Sequence, residues 1–152
     1  MQLTSTAFTN GQAIPPKYTA DGADSSPPLR WNDPPAGTKG FVLICDDPDA
    51  PVGSWVHWVL FDIAADSREL GESLPKTDTI PGSAKHGITD FRKVGYWGPA
   101  PPPGKMHRYF FRLYAVDLAP LGLAAGATKK QVQRAIEGHV LGQAELVGTY
   151  RR

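Results

Sequence analysis

Cysteine is almost absent from this chain. Cys45 is the only one, so no disulfide can form within the chain, and its place in the apolar run Phe41 to Cys45 predicts a buried thiol. Excess charge of either sign is missing too. Lys and Arg total 16 against 15 for Asp and Glu, so no long-range field draws the chain to nucleic acid or to an acidic membrane, and an anion must be captured by local groups. Internal repeats, low-complexity tracts and long charge runs are also lacking. No apolar run approaches the roughly 18 residues that cross a bilayer, which excludes a spanning helix. The stretch Met1 to Gly11 has neither a basic start nor an apolar segment of leader length, so the chain reads as cytoplasmic.

What is abundant is turn chemistry. The 16 glycines and 15 prolines exceed the usual combined share of about 12 per cent, which favours many turns and few long helices. At 152 residues the chain has the size of one domain, with room for one core. Prolines at 15, 16, 27, 28, 34 and 35 cut the first forty residues into turns and extended pieces, and no helix is expected there.

Three segments carry strong strand signals. Phe41 to Asp46 is a continuous apolar run ending in acid, the pattern of a central strand that opens at the surface. After a turn at Asp47 to Pro51 comes Trp55 to Ile63, where a period of two puts Trp55, His57, Val59, Phe61 and Ile63 on one face. His107 to Asp117 follows, with His107, Tyr109, Phe111, Leu113 and Ala115 sharing a face. Glu145 to Tyr150 alternates as a last strand. One helix is expected, capped by Thr128 with Gln131 as its reciprocal partner, stopped at Gly138, and buried through Val132, Ala135 and Ile136. The predicted class is mainly β.

Chemistry concentrates at strand ends. His57 and His107 each begin beside rigid proline-containing turns, where a scaffold holds a binding group yet leaves it exposed to ligand. Two imidazoles and the Tyr109 hydroxyl would surround an oxyanion with donors, and Asp47 would orient one ring. The blander alternative is that both histidines satisfy local hydrogen bonds. The run Gly98 to Gly104 leaves only three backbone N–H groups in seven residues, each rigidly placed, and Ala100 between two prolines is the best donor among them.

Together these residues resemble a known family. DPDAP at Asp47 to Pro51, the W-x-H-W of Trp55 to Trp58, GPAPPPG running into HRY across Gly98 to Tyr109, and GHVLGQAELVGTY at Gly138 to Tyr150 are similar to the phosphatidylethanolamine-binding proteins, in particular their bacterial Raf kinase inhibitor-like branch. The resemblance runs from Ser26 through Tyr150. It implies a large central antiparallel sheet, a smaller second sheet, one or two peripheral helices, and a non-enzymatic anion pocket at one end of the large sheet. Carried over by motif, Asp47, His57, His107 and Tyr109 are the pocket's polar groups, and Pro101 and Pro102 its proline wall. Asp49 and Trp55 support it. The implied ligands are phosphate monoesters or phospholipid headgroups such as phosphoethanolamine, with sulfate or acetate as surrogates. No cofactor is expected, and the implied partner is a kinase or protease. The chain stops at Arg152, where animal members continue into a longer C-terminal helix.

Rival chemistry uses the same residues. Asp47, His57 and His107 could form a two-histidine, one-carboxylate metal face, or a hydrolytic group with Ser54 as nucleophile, although no GxSxG elbow is present. His139 is expected on the apolar side of the helix and His86 in solvent. Trp97 is expected as an apolar loop residue that could support a homodimer.

Overall fold

Phe41 to Cys45 carry no charged side chain, so a strand made of them must be covered on both faces. In the computed structural model, which describes residues 1–152, this segment is β3 (Gly40–Asp47), and every residue in it is buried. It is the middle strand of a five-stranded antiparallel sheet. On one side lie β4 (Trp55–Ala64) and then β6 (Lys85–His86); on the other lie β7 (His107–Val116) and then β8 (Val140–Tyr150). A smaller sheet of β1 (Leu3–Thr4), β2 (Leu29–Trp31) and β5 (Glu69–Leu70) covers one face, and α1 (Lys129–Ile136) covers the other. The chain is mainly β, with two antiparallel sheets and one α-helix.

Side-chain alternation divides the core between the two faces. Phe41, Leu43 and Cys45 join Tyr109, Phe111 and Leu113 against Leu3, Leu29, Trp31 and Leu70 of the small sheet. Val42 and Ile44 point the other way, toward Val132 and Ile136 of α1. The two acids that end β3 follow the same alternation. Asp46 faces the helix, where its carboxylate meets Lys129 Nζ at 2.5 Å and Arg112 Nη1 at 3.2 Å. Asp47 faces the opposite way, at the end of the sheet.

Regular alternation fails in β4. Against β3, Cys45 pairs with Trp58 but Asp46 pairs with Val56, so His57 is an extra residue; a second irregularity falls between Phe41 and Leu43, beside Asp62 with φ of 57°. These bulges turn the strand twice. Val59 and Phe61 therefore pack with the helix, while Trp58, Leu60 and Ile63 pack toward the small sheet, and the five residues expected on one face are split.

The helix forms as its end signals require. Thr128 and Gln131 cap it reciprocally, with Gln131 N–H on Thr128 Oγ1 at 3.1 Å and Thr128 N–H on Gln131 Oε1 at 2.9 Å. Gly138 lies past its end at φ of 79°. Elsewhere the boundaries move. β8 starts at Val140 rather than Glu145: the exposed Val140 and Leu141 break the apolar alternation, yet Val140 pairs with Val116 of β7 and Leu141 is the extra residue of a bulge before Gly142 resumes the pairing. The proline-rich start contains one turn of 3-10 helix, Pro16–Tyr18, which proline's fixed φ suits. His139 lies beyond the helix and pairs with Asp117 at 2.8 Å, its side chain 44% exposed.

His86 is the sharpest departure from expectation. It is buried, not solvent-facing: its Nδ1–H donates to the Thr77 carbonyl at 2.7 Å, and its Nε2 accepts the Trp58 indole N–H at 3.0 Å. Only the neutral ring can make both bonds, and burial holds its pKa below the ordinary imidazole value. His57 is lowered for the same first cause. Below an unfolded value of about 6.5 the unfolded chain takes up protons that these native rings refuse, so stability falls as pH falls, by up to about 1.4 kcal/mol per pH unit per ring. Urea unfolding between pH 6.5 and 5.5 should show this loss in the wild type and about half the slope in His86→Gln. An unchanged slope in the variant would remove His86 as its source.

Candidate functional site

At the end of the large sheet, where β3, β4 and β7 meet their turns, lies a cavity of about 240 Å³. β3 brings Asp47 to its floor. One carboxylate oxygen accepts the Asp49 N–H at 2.7 Å, and the other accepts from His107 Nδ1 at 2.7 Å, with both side chains 4% exposed. β7 supplies His107 and, two residues on along the same face, Tyr109. The bulge in β4 supplies His57. Because the extra residue turns His57 to the same face as Trp58, its ring reaches the cavity and stands edge-on to Tyr109, with centroids 5.2 Å apart at 82°. Phe91 closes the far side, packing edge-on against both His57 and Trp55.

The hydrogen bonds fix what each group offers. His57 Nδ1 lies 2.5 Å from the Trp97 carbonyl, which can only accept, so this nitrogen carries the proton. His107 Nδ1 likewise donates to Asp47. Each ring is therefore left with Nε2 at the cavity, and neither Nε2 has a partner within the chain. The Tyr109 hydroxyl is buried and also unpartnered. Burial, and then the Asp47 charge, push its pKa up, so it stays a protonated donor. His57 departs from the expectation of two donor imidazoles: its neutral ring presents a lone pair to the cavity, and burial favours that neutral ring.

The proline run forms one wall. Ala100, Pro101 and Pro102 line the cavity, and the Ala100 N–H makes no hydrogen bond within the chain. Gly98 begins the run where a Cβ would lie 2.3 Å from the Tyr18 carbonyl oxygen, so only glycine fits. Its N–H donates to Asp24 Oδ1 at 2.8 Å. At the other end Arg152 straps the wall. Its guanidinium grips the Asp21 carboxylate at 2.9 Å and donates to the Pro101 carbonyl at 3.3 Å, while its own carbonyl accepts the Gly104 N–H at 3.1 Å. Tyr150 adds a hydroxyl bond to Asp21 at 2.7 Å.

Asp49 stands behind the cavity rather than in its lining. It takes the backbone N–H and two guanidinium nitrogens of Arg108, all at about 3 Å, and these hydrogen bonds hold its pKa down at about 2. The turn after β3 is thereby tied to the start of β7. Trp97 is half-buried, with Lys76 and Lys93 over its ring at 4.2 and 4.4 Å. Lys76 also donates to the carbonyls of Asp24 and Tyr96, holding the loop whose next carbonyl fixes His57.

Asp47, Trp55, His57, Ala100, Pro101, Pro102, His107 and Tyr109 thus surround one cavity. Sequence reasoning missed Phe91, the Trp97 carbonyl, Asp24, Asp21 and Arg152. A carbonyl carries no sequence signal, and the other four lie in loops or at the chain end, far in sequence from what they touch. The rival chemistries fit less well. Asp47 stands behind His107 with both oxygens engaged, and no three His, Cys, Asp or Glu side chains are spaced to hold a metal. Ser54 is exposed and borders a different depression, with Lys129 and Asp90.

Comparison with known proteins agrees with this fold. The phosphatidylethanolamine-binding protein family matches residues 4–151. UPF0098 proteins of Aquifex aeolicus and Methanothermobacter thermautotrophicus are each 50% identical, over all of this chain and 89% and 99% of theirs. The crystal structure of a phosphatidylethanolamine-binding protein homolog from Chlamydia trachomatis superposes with a TM-score of 0.90 at 39% identity, covering 99% of this chain and 97% of that one. YbcL of E. coli, a member of the mammalian family, superposes at 0.91 with 28% identity, covering 99% and 98%. With the motifs, the two-sheet fold and these likenesses in agreement, the chain belongs to the phosphatidylethanolamine-binding protein family.

Proposed function

We propose that the cavity binds the phosphoryl end of a small anion, a phosphate monoester or a phospholipid headgroup, without turning it over. The observation behind this reading is the buried, unpartnered Tyr109 hydroxyl beside two imidazoles whose Nδ1 atoms are already satisfied. Buried polar groups without partners are rare, and a ligand oxygen would complete this one. His107 in its imidazolium form would donate from Nε2, with Asp47 balancing its charge, and the Ala100 N–H would add a neutral donor. Pro51, Val52, Phe91 and Pro102 form an apolar wall that suits the organic part of a monoester better than it suits bare phosphate. The family's name, given for a phospholipid, supports the headgroup class.

Binding without turnover is supported by what the lining contains. It has no Ser, Thr, Cys or Lys, and its one phenol is held un-ionised, so no hydroxyl, thiol or amine nucleophile is activated at the cavity. Cys45 lies beneath in the core, its thiol pushed well up by burial.

Phosphoethanolamine should bind in calorimetry at pH 6, and His107→Ala should weaken it about tenfold or more through loss of a charge-assisted donor. Equal affinity in the variant would remove His107 from the site. Arg152→Ala should weaken the same ligand by a smaller factor, roughly threefold, because a loosened proline wall must be ordered on binding. Hydrogen exchange at Gly104, whose N–H donates to the Arg152 main-chain oxygen at 3.1 Å, should rise with it; unchanged exchange and affinity would mean that the strap is not needed. Zinc, iron or manganese at micromolar excess should leave the melting temperature unmoved. A rise that disappears in His57→Ala would favour the metal-binding alternative.

A further inference from the structure

The cavity's polar groups are not alike, and the difference lies in His57. Its Nδ1–H is held by the Trp97 carbonyl at 2.5 Å, so the neutral ring has only an acceptor, Nε2, to give a ligand. The ring is 3% exposed and enclosed by the edges of Phe91 and Tyr109. The charged or titratable groups that face it are Asp47 and, more remotely, Asp24, which favour its protonation, together with His107 and the Tyr109 hydroxyl from β7. Burial outweighs the two carboxylates and keeps the ring below the ordinary imidazole pKa.

The two rings differ in what holds their Nδ1: His107 leans on the Asp47 carboxylate, which can balance an imidazolium that donates from Nε2, whereas His57 leans on a neutral carbonyl. With His107 in that form, an anion in this cavity meets donors on one side, from Tyr109 and His107, and a lone pair on the other. A fully deprotonated oxyanion would set one of its oxygens against that lone pair, a repulsive contact beside a ring that is itself shielded from water. A phosphoryl group that keeps one proton would instead donate P–OH to His57 Nε2 while its charged oxygens accept from Tyr109 and His107. We infer that the cavity reads the protonation state of its ligand, taking the singly protonated monoanion of a phosphate monoester in preference to an isosteric anion that carries no proton, with His57 as the residue that sets this specificity. This rests on the anion-binding reading above and narrows its ligand class.

Methyl phosphate and methyl sulfate separate the two ideas. At pH 5.5 both are predominantly monoanions of the same shape, since the phosphate's second ionisation lies near pKa 6, and they differ by one proton. Calorimetry on the whole protein should find methyl phosphate about tenfold tighter at pH 5.5, a factor within the range expected for leaving a buried acceptor unsatisfied. The ratio of the two affinities should shrink toward pH 7.5 as the monoanion disappears, and methyl sulfate alone reports any titration of the protein. His57→Phe keeps a ring between Phe91 and Tyr109 but removes Nε2, and should bring the ratio near one. If that variant does not fold, the wild-type ratio still decides. A ratio near one at every pH, or one that rises as the dianion appears, would overturn the selectivity while leaving anion binding intact. Tighter binding of methyl sulfate, with proton uptake, would mean that His57 is an imidazolium donor, and would overturn it too. Failure of both probes to bind would overturn the anion-binding reading itself, and the selectivity with it.

Discussion

The hydrogen bond between Asp47 and His107, 2.7 Å long and shielded from water on both sides, joins the end of the central strand to the start of its neighbour. It depends on burial, because at the surface such a pair contributes little and its geometry drifts. That burial comes from β3 lying in the middle of the large sheet, with the small sheet over one face and α1 over the other. With Asp47 fixed, its other oxygen orders the turn through the Asp49 N–H, and Asp49 in turn clamps Arg108. One carboxylate at a strand end thus organises both the floor and the rim of the cavity.

His57 depends on a different device. A regular strand cannot send two adjacent residues to one face, yet both His57 and Trp58 point toward the small-sheet side. The bulge allows it, and the two rings then do unlike work. Trp58 goes into the core and bonds His86; His57 turns to the cavity and is held by a loop carbonyl. The loop is held by Lys76 and by Asp24, so the orientation of one imidazole rests on residues from three separate parts of the chain.

Stiffness in the proline wall has a similar origin. Four prolines between Gly98 and Gly104 restrict the backbone but supply few hydrogen bonds to anchor it. The anchoring comes from outside, from Asp24 at one end and Arg152 with Asp21 at the other. The wall is thereby positioned before any ligand arrives, which limits the entropy lost on binding.

Much of this was legible in the sequence. The apolar run from Phe41 marked the central strand, strict alternation from His107 put His107 and Tyr109 on one face, and Thr128 with Gln131 marked the helix start, because each signal is local and the structure preserves it. The motifs around Asp47, His57 and the proline run identified the residues that meet at the cavity. The face of each residue in β4 was not legible, since a bulge is set by pairing with β3 and not by the strand's own period. Neither was the burial of His86, whose Gly-rich surroundings look like a loop until Trp58 and Thr77 close on it. The sequence by itself determined which polar groups reach the site. Only the tertiary structure decided which nitrogen of His57 bears the proton, because that rests on a backbone carbonyl forty residues away that leaves no trace in residue identity.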